Sequence, residues 1–237
     1  MFDSVAPRYD LLNHLLSLNL DRRWRRAATQ AAFGTPPAEA DPTRLDGRRP
    51  LQVLDLCAGT GDLALELVRR SPAARVIALD FVEPMLQRSR ARVQSLGLTD
   101  RIFPLCGDAL QMPFRDGSFD LLTVAFGLRN LSPLERALDE AARVLRPGGR
   151  IVILEFALPT RGVWGWFYRF YFFRVLPRIG RWISGTSAYS YLPASVALFP
   201  EPAQWSTMLE GHGFVEARWR SLAGGAVALH TASIPIQ

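Results

Sequence analysis

The sequence contains no lysine; all 28 of its basic side chains are arginine. That absence excludes Schiff-base and pyridoxal chemistry, and with it the phosphate loop that needs a lysine on the phosphates. Cysteine is scarce as well. Cys57 and Cys106 lie in apolar strand-like runs, where buried, reduced thiols are commoner than a disulfide or a metal pair. The three histidines, His14, His212 and His230, form no cluster with cysteine or carboxylate at ligand spacing, so no metal is expected. No stretch is long and apolar enough to span a bilayer. The opening MFDSVAPRYD lacks the basic-then-apolar order of a signal peptide, so a cytoplasmic address is expected.

What is present is a chain of 237 residues, 49% hydrophobic and 21% charged, enough to bury a sizeable core as one domain over 1–237. Its formal net charge of +6 favours an anionic partner; a membrane surface, a nucleic acid or an acidic metabolite would each serve. Residues 8–33 place Leu11, Leu12, Leu15, Leu16 and Leu18, then Trp24, Ala27 and Ala28, at roughly helical spacing, which predicts an N-terminal helical segment. Residues 34–50 are rich in Pro, Gly and charge and read as a surface linker.

Beyond them strands and helices alternate. Strands are expected at 51–56, 75–79, 102–105, 119–124 and 150–156, with helices at 62–70, 83–96 and 133–145. Two closing strands follow at 214–218 and 226–231. Short β-rich runs joined by helices imply right-handed crossovers, hence an α/β, Rossmann-like, mostly parallel seven-stranded sheet. The run VWGWFYRFYFFRVLPRIGRWISG, inside a helical insertion at 159–200, sets Arg169, Arg174, Arg178 and Arg181 among aromatics. It can lie on a membrane surface or pack into the core.

The sharpest motif is VLDLCAGTGDLALEL, a strand ending in Asp55 that turns through Gly59, Thr60 and Gly61 into a helix. Glycine permits positive φ and close approach of backbone to a ligand, and the helix offers free N–H groups. Gly59, Gly61 and Ala64 also satisfy a dinucleotide-binding pattern. Asp55 argues against it, because a carboxylate there repels a pyrophosphate and suits the ammonium or sulfonium of S-adenosylmethionine. Asp80 ends the second strand, placed to accept hydrogen bonds from ribose hydroxyls. Asp108 follows the third strand and can receive an adenine amino group, with Ala109 and Met112 as apolar neighbours, or can cap a turn. FDLLTVAF then supplies the fourth strand, and VLRPGGRIVILEF a helix end, a Pro-Gly-Gly turn and the fifth strand.

Taken with these elements, nearly the whole chain resembles the ubiquinone and menaquinone biosynthesis C-methyltransferases. In FDSVAPRYDLLNHLLSLNLDRRW, Tyr9, Asp10, Asn13, Ser17 and Trp24 match the family's leading signature, while Leu12 and Asp21 stand where methionine and histidine are usual. RVLRPGGRIVILEFA is similar to the second signature through Glu155, with Ala157 replacing serine; FGLRN and YLPASVALFP are also family-like. The resemblance implies a class I methyltransferase fold in which Thr60, Asp80, Asp108 and Ala109 contact S-adenosylmethionine. Ala125 stands where some relatives place a cofactor-contacting serine. It implies methyl transfer to a ring carbon of a polyprenyl quinol, demethylmenaquinol first and a methoxy-polyprenyl benzoquinol as the alternative.

Such a transfer needs an electron-rich ring, and a phenol near pKa 10 resists ionisation at neutral pH. Arg129 is the candidate donor to the ring oxygen, with Asn130 and Tyr9 orienting it; alternatively Arg129 pairs with a carboxylate such as Asp10. His14 could act as base or simply pack. A tailed acceptor implies peripheral contact with the inner face of an anionic membrane, to which Arg22, Arg23, Arg25 and Arg26 could add; a homodimer is compatible with the sequence. The rivals are a methyltransferase for another small acceptor, a non-enzymatic lipid-surface module keeping the cofactor loop, and a nucleic-acid methyltransferase. No Asn-Pro-Pro-Tyr loop or Pro-Cys nucleophile supports the last, so no nucleic-acid partner is expected.

Overall fold

A computed structural model describes residues 17, 19–34, 50–159, 162–175, 178 and 188–236. Tyr9, Asp10, Asn13, His14, Arg181 and nearly all of the linker fall outside these. The elements run α1 (Leu20–Phe33), β1 (Leu51–Leu56), α2 (Asp62–Arg70), β2 (Ala74–Asp80), α3 (Glu83–Ser95), β3 (Ile102–Cys106), β4 (Phe119–Ala125), α4 (Leu134–Val144), β5 (Leu145–Phe156), α5 (Gly162–Phe170), α6 (Ala188–Leu198), α7 (Pro202–Gly211), β6 (Val215–Leu222) and β7 (Val227–Ser233).

The seven strands form one sheet in the order β3-β2-β1-β4-β5-β7-β6. Strands β1 to β5 pair in parallel, and β7 runs antiparallel to both β5 and β6, the mostly parallel sheet expected. Strand order reverses between β1 and β4, and this crevice at the carboxyl ends of the strands is where open α/β sheets bind ligands. β4 is buried at six of its seven positions, as a central parallel strand covered on both faces must be.

Apolar stripes seat the helices. On α1, Trp24, Ala28 and Ala32 recur every four residues and are buried, so one side of the helix faces the sheet. Arg150 of β5 donates to the carbonyls of Ala31 and Ala32 at 3.3 and 3.2 Å, satisfying carbonyls that the end of α1 leaves open.

Three expectations need correction. The Pro-Gly-Gly segment is no separate turn: β5 is continuous from Leu145, Phe119 pairs with Leu145 and Leu121 with Arg150, and the intervening residues bulge out, with Gly148 at φ +76°. Cys106 is exposed rather than buried, because β3 is an edge strand. Helix α7 was not anticipated, although Glu201 and Gln204 form a reciprocal capping box with Pro202 at the first turn, a pattern that marks a helix start. Trp205 and Leu209 anchor it in the core.

Candidate functional site

A cavity of about 940 Å³ opens at the carboxyl ends of β1, β2 and β4, near the top of the roughly 300–1,000 Å³ usual for ligand sites. Its lining combines four carboxylates, Asp55, Asp62, Asp80 and Asp108, with the aromatic rings of Phe126, Phe156, Tyr168 and Phe172.

The acidic lining is organised around the β1–α2 turn. Gly59 and Gly61 take φ of +57° and +87°, conformations disfavoured for residues with a Cβ. At Gly61 an added Cβ would lie 2.8 Å from Ser89 Oγ. The Gly59 amide donates to Asp80 at 2.7 Å and the Val82 amide to its other oxygen at 2.8 Å, so Asp80 fixes the turn while lining the cavity. Burial raises the Asp80 pKa and these amides oppose the shift.

Asp55 stands opposite Thr123 in the register. The Thr123 hydroxyl donates to one carboxylate oxygen at 2.8 Å, while Oδ2 is buried with no close hydrogen-bond partner among the described residues. Burial pushes the Asp55 pKa up to about 7; the Thr123 hydroxyl, the Arg25 charge and the Ala64 amide act against it. Thr123 was not singled out from the sequence, although it is the one hydroxyl within the apolar run FDLLTVAF. Thr60 is buried on the same wall. Asp108 is exposed and accepts from the Leu110 amide at 2.8 Å, so it does cap a turn while lining the cavity, with Ala109 and Met112 buried beside it.

Among the aromatic residues, Phe156 lies between Phe126 and Phe172, with centroid distances of 4.5 and 6.3 Å, and meets Trp24 at 6.4 Å. Burial pushes the phenols of Tyr168 and Tyr171 up, so both remain protonated hydrogen-bond donors. Ala125, Arg129 and Asn130 also line the cavity. Arg129 is paired, but with Glu155 at 2.7 Å; Asp10 lies outside the described residues. Its guanidinium also donates to the Phe126 carbonyl and stacks 5.3 Å from the Phe156 centroid. Arg25, grouped by sequence with lipid-facing arginines, lines this cavity and pairs with Asp21 on its own helix. Arg22, Arg23 and Arg26 are exposed or largely so. His212 pairs with Asp139 at 2.6 Å and His230 is buried beside Trp205, both away from the cavity lining. Among the described residues no group of His, Cys, Asp and Glu could hold a metal ion.

A family model described as the ubiE/COQ5 methyltransferase family matches residues 1–234. The chain is 47% identical over 236 residues to the demethylmenaquinone methyltransferase of Thermus thermophilus, covering 99% of this chain and 100% of that protein. To the ubiquinone/menaquinone biosynthesis C-methyltransferase UbiE of Geobacter sp. strain M21 it is 43% identical over 231 residues, 97% and 93% of the two chains. Among solved structures, a SAM dependent methyltransferase from Aquifex aeolicus superposes with a TM-score of 0.58 at 20% identity, covering 88% of this chain and 98% of that one. The cyclase SpnF does so with a TM-score of 0.65 at 18% identity, covering 90% and 80%. That a cyclase shares the architecture shows that the sheet alone does not fix the chemistry.

Proposed function

This chain belongs to the ubiE/COQ5 methyltransferase family, and from that premise we propose that it transfers a methyl group from S-adenosylmethionine to a ring carbon of demethylmenaquinol. The observation that carries this reading is the cavity itself, whose lining joins an acidic glycine turn to a cluster of aromatic rings. The residues fit such a cofactor. Oδ2 of Asp55 is a buried acceptor lacking a partner among the described residues, suited to a cationic donor. Asp80 and Asp108 can accept from ribose hydroxyls and the adenine amino group, with Gly59, Thr60, Ala109 and Ala125 also on the cavity surface and Gly61 contributing through the left-handed turn that it permits.

Bound S-adenosylmethionine supplies an electrophilic methyl group. The protein orients the ring and excludes water. Phe126, Phe156 and Phe172 give a planar ring apolar and edge-on contacts. Arg129 is held by Glu155, so its charge is largely offset; it acts through the N–H donors that Glu155 and the Phe126 carbonyl do not use, with Asn130 and Tyr9 completing the hold on the ring oxygen. Among the described residues no helix is long and apolar enough to cross a membrane. A polyprenyl acceptor would instead be met at the bilayer surface, by the exposed Val163, Trp166, Phe167 and Phe170 of α5 with Arg169 and Arg174 alongside.

The test is incubation of the purified protein with S-adenosylmethionine and reduced demethylmenaquinone in detergent, following the quinone mass. One methyl gained on the ring, and lost in Asp80→Ala, is the expected result. No gain with demethylmenaquinol but methylation of 2-methoxy-6-polyprenyl-1,4-benzoquinol would move the substrate to the benzoquinol alternative.

A further inference from the structure

Arg25 and Arg129 are the two cationic side chains lining the cavity among the described residues. Arg129 is committed to Glu155 and to the Phe126 carbonyl, and its side chain is only 8% exposed. Arg25 is placed differently. It projects from α1 toward the β1–α2 turn, pairs through Nη1 with Asp21, and lies 5.7 Å from the Phe126 centroid. Its Nη2 stands 3.6 Å from Asp62, beyond hydrogen-bond length, while Arg92 holds Asp62 from the other side at 2.6 Å. Its charge is felt at Asp55, whose pKa it lowers. A guanidinium carries five N–H donors in a planar fork, and Asp21 occupies one edge of this one.

We propose that Arg25 receives the α-carboxylate of the cofactor's amino-acid end while Asp55 receives its ammonium. The proposal rests on S-adenosylmethionine being the cofactor. That end is a zwitterion, and the wall it must approach carries Asp55, Asp62 and Asp80. A carboxylate entering among these without a counter-charge would be repelled at short range in a partly desolvated site. Arg25 is the cation positioned to prevent this, and its fork matches a carboxylate bidentately. Asp21, buried and accepting from the Ser17 hydroxyl at 2.7 Å as well as from Arg25, is then a positioning residue that holds the guanidinium toward the cavity. Cofactor binding would thereby clamp α1 against the glycine turn.

The experiment is calorimetric binding of two ligands to the full chain: S-adenosylhomocysteine, and 5′-methylthioadenosine, which keeps the nucleoside and thioether but lacks the amino-acid end. Arg25→Gln is expected to weaken S-adenosylhomocysteine roughly ten- to a hundredfold, the usual range for a charge-assisted contact, and to leave 5′-methylthioadenosine within about twofold of wild type. Arg25→Lys should recover part of the loss. In the wild-type protein, which removes any question of folding, decarboxylated S-adenosylhomocysteine should bind more weakly by the same factor. Equal weakening of both ligands by Arg25→Gln would mean that Arg25 only fastens α1 to the turn, and the proposal falls. Unchanged affinity for S-adenosylhomocysteine would place the carboxylate on the backbone amides at the start of α2, and the proposal falls again. If the wild-type protein binds neither ligand, the cofactor reading itself fails and takes this one with it.

Discussion

Arg129 and Glu155 meet at 2.7 Å inside the cavity wall, with side chains 8% and 2% exposed. Glu155 closes β5 and Arg129 follows β4, so the pairing of those two strands brings them together. Removing one partner of such a pair leaves a buried charge uncompensated and costs about 3–5 kcal/mol. Arg129→Met should therefore lower unfolding stability by that order in urea melts. The double change Arg129→Met with Glu155→Leu should regain part of it. Methyl transfer that stays lost in the restabilised double variant would separate the role of Arg129 in chemistry from its role in packing.

Asp55 predicts a pH dependence. Its folded pKa of about 7 lies above the ordinary 3.8, so between these values the folded state holds a proton that the unfolded state has lost. Stability from this group is present below about pH 4, declines as pH rises and is gone above 7, a difference of up to roughly 4 kcal/mol. Melts of ligand-free wild type and Asp55→Asn at pH 5 and 8 should differ by this slope. His230, whose burial pushes its imidazole down to about 4, slopes the opposite way and is common to both proteins. Affinity for S-adenosylhomocysteine should rise through pH 7 in the wild type and stay flat and weak in Asp55→Asn.

Gly61→Ala should damage the turn in two ways. A left-handed φ of +87° costs an L residue about 1–2 kcal/mol, and the new Cβ would press on Ser89 Oγ at 2.8 Å. Loss of S-adenosylhomocysteine binding is expected along with a lowered melting temperature, and adding Ser89→Ala should restore stability only in part, since it relieves the clash and not the backbone strain.

The exposed face of α5 should decide membrane contact. Trp166 and Phe170 stack at 6.0 Å and are 64% and 53% exposed. Changing both to serine, in a second variant with Arg169 and Arg174 made glutamate, should reduce flotation with anionic vesicles several-fold. Equal recovery of wild type and variants on anionic and neutral vesicles would show that this face does not seat the protein.

Much of this could be read along the chain. The strand at 51–56 and the helix at 62–70 coincide with the observed elements, because an apolar run ending in Asp55 and a glycine turn encode both boundaries locally. The approximate places of Asp80 and Asp108 followed from the same alternation. Helix α7 was equally legible in its capping box and was missed. The bulge at Gly148 and Gly149 was not legible, since a Pro-Gly-Gly segment reads as a turn until β4 is set beside it.

The sequence by itself determined the mostly parallel sheet, through its alternation of strands and helices, and the acidic glycine turn, because periodicity and turn residues act over a few neighbouring positions. Only the tertiary structure decided the electrostatics of the site: that Thr123 satisfies one oxygen of Asp55 and leaves the other, that Glu155 offsets Arg129, and that Arg25 faces the cavity instead of a lipid surface. These pairings join residues far apart in the chain through strand register and helix docking. A charge's partner, and the burial that sets its pKa, exist only once those surfaces have closed.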